Sequence, residues 1–178
     1  MKRRAWVALG LGLLLAGCHR AALPPTAGAE ADQPATVSVF FPTDKFKYLE
    51  AEARDVLTPG KQTSDLAQAA VHELLAGPIE EAHVRVIPKE ARLLKLEVKG
   101  ELATVDLSGE FASKFQGGSN LAALAVGSLV NTLTSVPPIA KVQILIDGAK
   151  RDDFAGAVKI GEPLPFDDTV MGGEKIGS

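Results

Sequence analysis

The 178-residue chain has one cysteine, Cys18, so no disulfide can form within it. It has no surplus of positive charge. Nineteen lysines and arginines face 22 aspartates and glutamates, a formal net charge of −3, which excludes nucleic acid as an expected partner. It has only three histidines, and neither His72 nor His83 has a second ligand at metal-site spacing. No metal or other cofactor is therefore expected, and both are read as surface or half-buried residues. A nucleophile elbow and a recognisable Ser–His–Asp set are also missing. The N-terminal apolar run, Ala5 to Ala16, is too short for a comfortable membrane span.

What that run does offer is a processing signal. Lys2, Arg3 and Arg4 precede it, and Leu15-Ala16-Gly17-Cys18 closes it. Small residues before a cysteine resemble the lipobox of bacterial lipoproteins. That resemblance implies a signal peptide over residues 1–17, with cleavage before Cys18 and a diacylglyceryl group on its thiol. Acylation leaves no thiol for catalysis and gives a membrane anchor, each buried CH₂ contributing about 0.8 kcal/mol. His19 stands where an aspartate often retains lipoproteins at the inner membrane, so in a two-membrane source the outer membrane is expected. Residues 18–35 lack aromatics and periodicity and read as a flexible tether spanning on the order of 20–25 Å.

The domain, residues 36–166, is organised around Gly117 to Gly148. Leu121, Ala122, Ala125, Val126, Leu129, Val130 and Leu133 recur at helical spacing between Ser119 and Ser135, with no charge among them. Asn120, Ser128, Asn131, Thr132 and Ser135 fall mostly off that face. Ser119 is the expected N-cap. Pro137-Pro138 stops the helix. Val142, Ile144 and Ile146 then alternate with Gln143, Leu145 and Asp147, a strand with one buried face. A helix this apolar must be wrapped by the rest of the domain.

Elsewhere, Thr36 to Phe41 reads as a strand. In Tyr48 to Val56, Leu49, Ala51 and Ala53 alternate with Glu50, Glu52 and Arg54, as in a half-exposed strand, but the same residues are good helix formers. Ser64 to Ala76 is an amphipathic helix with Ser64 as cap, stopped by Gly77-Pro78. Val84 to Ile87 is an edge segment or a loop plug. Leu94 to Val98 and Leu102 to Leu107 alternate about Gly100-Glu101, the clearest hairpin in the chain. Ser108 to Phe115 is one helical turn packing Phe111 and Phe115. Ala157 to Leu164 supplies a last short strand, and Asp167 to Ser178 reads as a disordered tail. Hairpins with two helices inserted predict an α+β fold: a mostly antiparallel sheet with both helices packed against it.

This order resembles the GerMN domain, the sporulation and spore-germination module of bacterial lipoproteins. The resemblance is carried by Leu74-Leu75-Ala76-Gly77-Pro78, by Val105 to Phe111, by Gly117-Gly118-Ser119 with Val130 to Thr134, by Val142 to Gly148, and by Glu162-Pro163-Leu164. It implies a strand over Tyr48 to Val56 and a fold similar to ring-building modules of secretion assemblies. It implies no enzymatic activity. The founding protein has two copies of the domain and this chain one, so ring building by tandem copies does not carry over. Nor does the domain require that the source form spores.

Candidate sites are few. Gly117, Gly118, Ser119 and Asn120 open a helix with bare amides, which suits an anion such as a cell-wall carboxylate; a tight turn plus cap explains the same residues. Asp106, Ser108 and Glu110 read as strand-end and capping residues rather than an acid–base pair. Asp147-Gly148 and Arg151-Asp152-Asp153 read as a solvated turn, short of ligands for calcium. Asn131, Thr132 and Thr134 are expected to bond neighbouring backbone. The function expected is that of a lipid-anchored envelope protein that docks on a partner or on itself, with a sporulation or germination role in a spore-former. A binding module for a small envelope ligand is the alternative.

Overall fold

The computed structural model describes residues 32–172. The signal segment, Cys18 and nearly all of the tether lie outside the described residues, as do residues 173–178. The described chain forms one α+β domain in which most strand pairs are antiparallel.

A long hairpin comes first. β1 (Gln33–Pro42) pairs antiparallel with β2 (Leu49–Thr58) in unbroken register from Gln33↔Thr58 to Pro42↔Leu49. The tether thus ends by Asp32, three residues sooner than its composition implies. α1 (Thr63–Ala76) follows, capped not by Ser64 but through Gln62, whose N–H reaches the Asp65 carboxylate at 3.3 Å. Ala67, Ala70, Val71 and Leu74 form its buried face, and Leu66 and Leu75 flank it half-buried.

β3 (Leu93–Lys99) and β4 (Leu102–Leu107) form the expected hairpin. α2 (Glu110–Ser113) is the expected single turn and buries Phe111. α3 (Ser119–Thr134) then carries the chain across to β5 (Lys141–Ile146), which lies parallel to β4. Parallel neighbours require such a crossover. The rest of the sheet is smaller than expected. Ala157 to Leu164 is not one strand: β6 (Asp153–Phe154) pairs with β7 (Val158–Lys159), and β8 (Leu164–Pro165) pairs with β5. The four-stranded sheet runs β3-β4-β5-β8.

α3 is buried almost all round. Ser128, Asn131 and Thr132, expected off its apolar face, are as inaccessible as Leu129 and Leu133. Thr132 and Asn131 are tolerated there because each has a backbone partner. The Thr132 hydroxyl accepts the Phe40 N–H of β1 at 3.0 Å, and Ser135 donates to the Ser38 carbonyl at 3.2 Å, so α3 closes the outer edge of β1. Asn131 donates to the Asp167 carbonyl at 2.9 Å and accepts the Asp167 N–H at 2.8 Å. That pair corrects the reading of a tail from Asp167 onward. Asp168–Val170 is a 3₁₀ turn, Met171 bridges to Leu49, and the Gly172 N–H reaches the Leu49 carbonyl at 3.1 Å. No described helix is long and apolar enough to cross a membrane.

Candidate functional site

Leu49 of β2 is buried and Glu50 exposed as their polarity suggests, but from Ala51 to Arg54 the strand buries the opposite face. Ala51 and Ala53 face solvent, while Glu52 and Arg54 point inward at 1% and 6% exposure. Charges so placed need full satisfaction. Arg54 bonds Glu52 at 2.6 Å, reaches Glu73 of α1 at 3.1 Å, and donates to the Gly77 carbonyl at 2.8 Å. Its guanidinium also lies 5.7 Å from the centre of the Phe41 ring. Glu52 accepts, in addition, the Ile79 N–H at 3.0 Å and His83 Nδ1 at 2.9 Å.

His83 is the second inward anchor. It is buried, correcting its reading as a surface or half-buried residue without a partner. Nδ1 meets Glu52, Nε2 lies 3.3 Å from Glu50, and the Glu80 carboxylate stands 3.9 Å away. Burial pushes the imidazole down, but the hydrogen bonds to Glu52 and Glu50 and the charges of Glu52 and Glu80 outweigh it, so its pKa is raised. Burial likewise pushes Glu52 up, yet the bonds from His83, the Ile79 N–H and Arg54 bring it below the ordinary carboxylate value. An imidazole whose two nitrogens reach two carboxylates is a clamp. It fastens the irregular stretch after α1 onto β2. Among the described residues no group of three His, Cys, Asp or Glu side chains is arranged to hold a metal ion.

The C-terminus of α1 is built into the same cluster. No basic residue lies in its last turn, so cations arrive from outside. Arg54 takes the Gly77 carbonyl, and Arg85 takes those of Leu75 and Ala76. Gly77 has φ 97°, and a Cβ there would run into the Arg85 guanidinium. The backbone conformation requires glycine, and the bare Cα leaves the room that the Arg85 guanidinium occupies.

The clamp braces a loop. Between β1 and β2 the chain turns over Thr43 to Tyr48, and this tip leans on the fastened stretch. Thr43 bridges to His83, the Asp44 N–H reaches the Ala82 carbonyl at 3.0 Å, and the Val84 N–H reaches the Pro42 carbonyl at 2.9 Å. Val84 is therefore a backbone brace and Ile87 a buried plug; neither belongs to a strand. Within the tip Phe46 adopts φ 51°, a conformation rare for a bulky residue.

The structure joins the predicted Gly117–Asn120 turn to this tip. All four residues are exposed. The N-cap of α3 is Gly118, not Ser119, and no side chain caps it. A Cβ on Gly117 would come within 2.7 Å of Leu121 and 2.8 Å of Phe115, so that glycine serves close packing. The Asn120 amide donates to the Phe46 carbonyl at 2.8 Å. A link between residues 46 and 120 has no local sequence signal.

A second feature lies at the carboxyl ends of the parallel pair β4 and β5. Asp106 accepts the Gly148 N–H and Asp147 accepts the Gly109 N–H, both at 2.8 Å. Ser108 accepts the Arg92 N–H at 3.1 Å. Ser108 also hydrogen-bonds Glu110, which with the nearby cations holds that carboxyl low. Asp106 has the strand-end role expected of it, but Ser108 and Glu110 are not the expected caps: the N-cap of α2 is Gly109, with no side-chain hydrogen bond. Ser108 and Glu110 from one group read in the sequence, and Asp147, Arg151 and Asp153 from another, line one open dish of about 730 Å³ together with Arg92.

Comparison with known proteins gives this architecture a family. Residues 38–152 match the Germane family model, described as sporulation and spore germination. The chain belongs to that family. No curated protein sequence matches it. Several solved structures share this fold. The first GerMN domain of the sporulation protein GerM from Bacillus subtilis has a TM-score of 0.58 at 22% identity, over 74% of this chain and 97% of that one. The tandem GerMN domains of the same protein give 0.57 at 20% identity, covering 83% of this chain. Only 51% of the tandem chain is covered, in keeping with one GerMN domain here against two there. A Clostridium perfringens protein, whose description proposes that it is a lipoprotein, gives 0.52 at 24% identity, over 76% of this chain and 88% of that one.

Proposed function

We propose that this GerMN domain is a binding module of the cell envelope, held at a membrane by lipid on Cys18, that works by docking onto another envelope protein. In a spore-forming source its role is in sporulation or germination. The observation that carries this reading is how the domain uses its buried charges. Glu52 bonds Arg54, His83 and the Ile79 N–H, Arg54 takes the Gly77 carbonyl, and the cluster fastens the stretch on which the exposed Thr43–Tyr48 loop leans. Family membership and the lipobox-like Leu15-Ala16-Gly17-Cys18 support the envelope setting. Lipid and tether together raise the concentration of the domain near the membrane.

Chemical crosslinking in intact cells, followed by purification and mass spectrometry, tests this. A reproducible envelope-protein adduct is expected, along with a marked drop for unlipidated Cys18→Ser. A clean monomer counts against docking. It would turn attention to the alternative, a binding module for a small envelope ligand such as a cell-wall fragment, for which the open dish offers a mixed-charge surface of Arg92, Arg151, Glu110, Asp147 and Asp153.

A further inference from the structure

We propose that Lys45, Phe46 and Lys47 form the docking prong of the domain, a rigid apolar tip between two cations that inserts into an apolar, carboxylate-rimmed socket on a partner protein. This rests on the docking reading above and names its surface. Three observations converge on the tip. Phe46 remains 38% exposed in a left-handed conformation where glycine or asparagine is the usual residue. Strain held at an exposed aromatic marks a position shaped by something other than packing. The conformation is enforced from both sides: the Phe46 N–H bonds the Thr43 carbonyl at 2.9 Å, and Asn120 holds the Phe46 carbonyl at 2.8 Å. A pre-ordered tip loses little entropy on binding.

Charge names the partner's rim. Among the described residues neither Lys45 nor Lys47 has an ion-pair partner. The carboxylates beneath, Glu50, Glu52 and Glu80, face His83. The edge strand β3 differs: Lys95 and Lys99 share the Glu97 carboxylate, at 2.7 and 3.2 Å. Position favours a protein over the anchoring membrane. The tether enters at Gln33, and ten residues of β1 put the tip about 30 Å from that point.

The test places a benzophenone-bearing phenylalanine at position 46 of the full chain in intact cells, with positions 57 and 94 as controls. Leu57 and Leu94 are also exposed, at 70% and 50%. The expected result is a protein adduct at position 46, on a partner segment containing aspartate or glutamate. Its yield should fall at least roughly tenfold when Lys45→Glu and Lys47→Glu are combined, since like charges then meet across the interface. Phe46→Gly should keep or raise the melting temperature while abolishing the adduct, read from a probe at position 47. Adducts only at 57 or 94 would overturn the prong and leave docking intact. Lipid adducts at 46, an adduct indifferent to charge reversal, or a marked drop in melting temperature for Phe46→Gly would each overturn it too. No protein adduct at any position, with none on chemical crosslinking, would sink the docking reading itself.

Discussion

Arg54→Met is expected to cost about 3–5 kcal/mol of folding stability, because it strands a buried charge. Methionine keeps the stem but none of the donors. Glu52, at 1% exposure, would retain only the Ile79 N–H and His83, and the Gly77 carbonyl would lose its partner. For a domain of this size that is a fall in melting temperature of roughly 10–20 °C. Arg54→Lys should recover part of the loss, since one ammonium cannot reach Glu52, Glu73 and Gly77 together. Glu73→Gln should cost far less, Glu73 being a third exposed. Nor should replacing Glu52 and Arg54 together with leucines restore stability, because His83 Nδ1, the Ile79 N–H and the Gly77 carbonyl would each lose the partner they have. Urea denaturation of the four variants checks the order; an Arg54→Met loss near that of Glu73→Gln would contradict it.

Phe154→Ala is expected to cost a similar amount, about 3–5 kcal/mol, for a different reason. Phe154 is buried in a strand of two residues, too short to hold itself in place by backbone bonds. Its ring stacks on Phe111 at 4.5 Å between centroids and meets Phe115 at 4.8 Å. That aromatic cluster fastens the β6–β7 hairpin and one wall of the Arg92–Arg151 dish to α2. Hydrogen exchange should show the amides of β6 and β7 losing protection well before those of β4 and β5. Phe154→Leu should cost less than half as much. A uniform loss across the domain would show that the hairpin folds as part of the core rather than as an appendage.

The two predictions also mark where sequence reading succeeds and fails. The β3–β4 hairpin, α1 and α3 were legible because their periodicity is long and their breakers stand at the ends, Gly100 for the hairpin and Gly77-Pro78 for α1. The residues of β2 left strand and helix open, the resemblance decided for the strand, and the phase was not legible. Alternation identifies the buried face by polarity, and here the polar residues are inside. Their partners, His83 and the Gly77 carbonyl, come from a stretch without period, 31 and 23 positions on. The same limit hid the role of Asn120, whose partner is Phe46, and the ordering of Asp167 to Gly172 by Asn131 and Leu49. Two-residue strands such as β6 and β8 fall below what alternation can register. Of the candidate sites, Gly117 to Asn120 was found for its bare amides, and its structural partner, the loop tip, carried no signal at all.

The pH dependence of the brace follows from its two titrating members. His83 has its pKa raised from an ordinary 6.5, so its contribution is complete below that value and fades as pH rises through the raised native one. Glu52 has its pKa lowered from an ordinary 4.5, so its contribution is complete above that value and fades as pH falls through the lowered native one. The clamp is therefore at full strength between pH 4.5 and 6.5. The most direct test is an NMR titration of the His83 imidazole in the unlipidated Cys18→Ser chain. A midpoint above 6.5 is expected, moving down in Glu52→Gln, with the amides of Thr43 to Tyr48 shifting in step. A midpoint at or below 6.5, or one indifferent to Glu52→Gln, would mean that His83 does not clamp the loop to β2 and that the tip is not braced in this way.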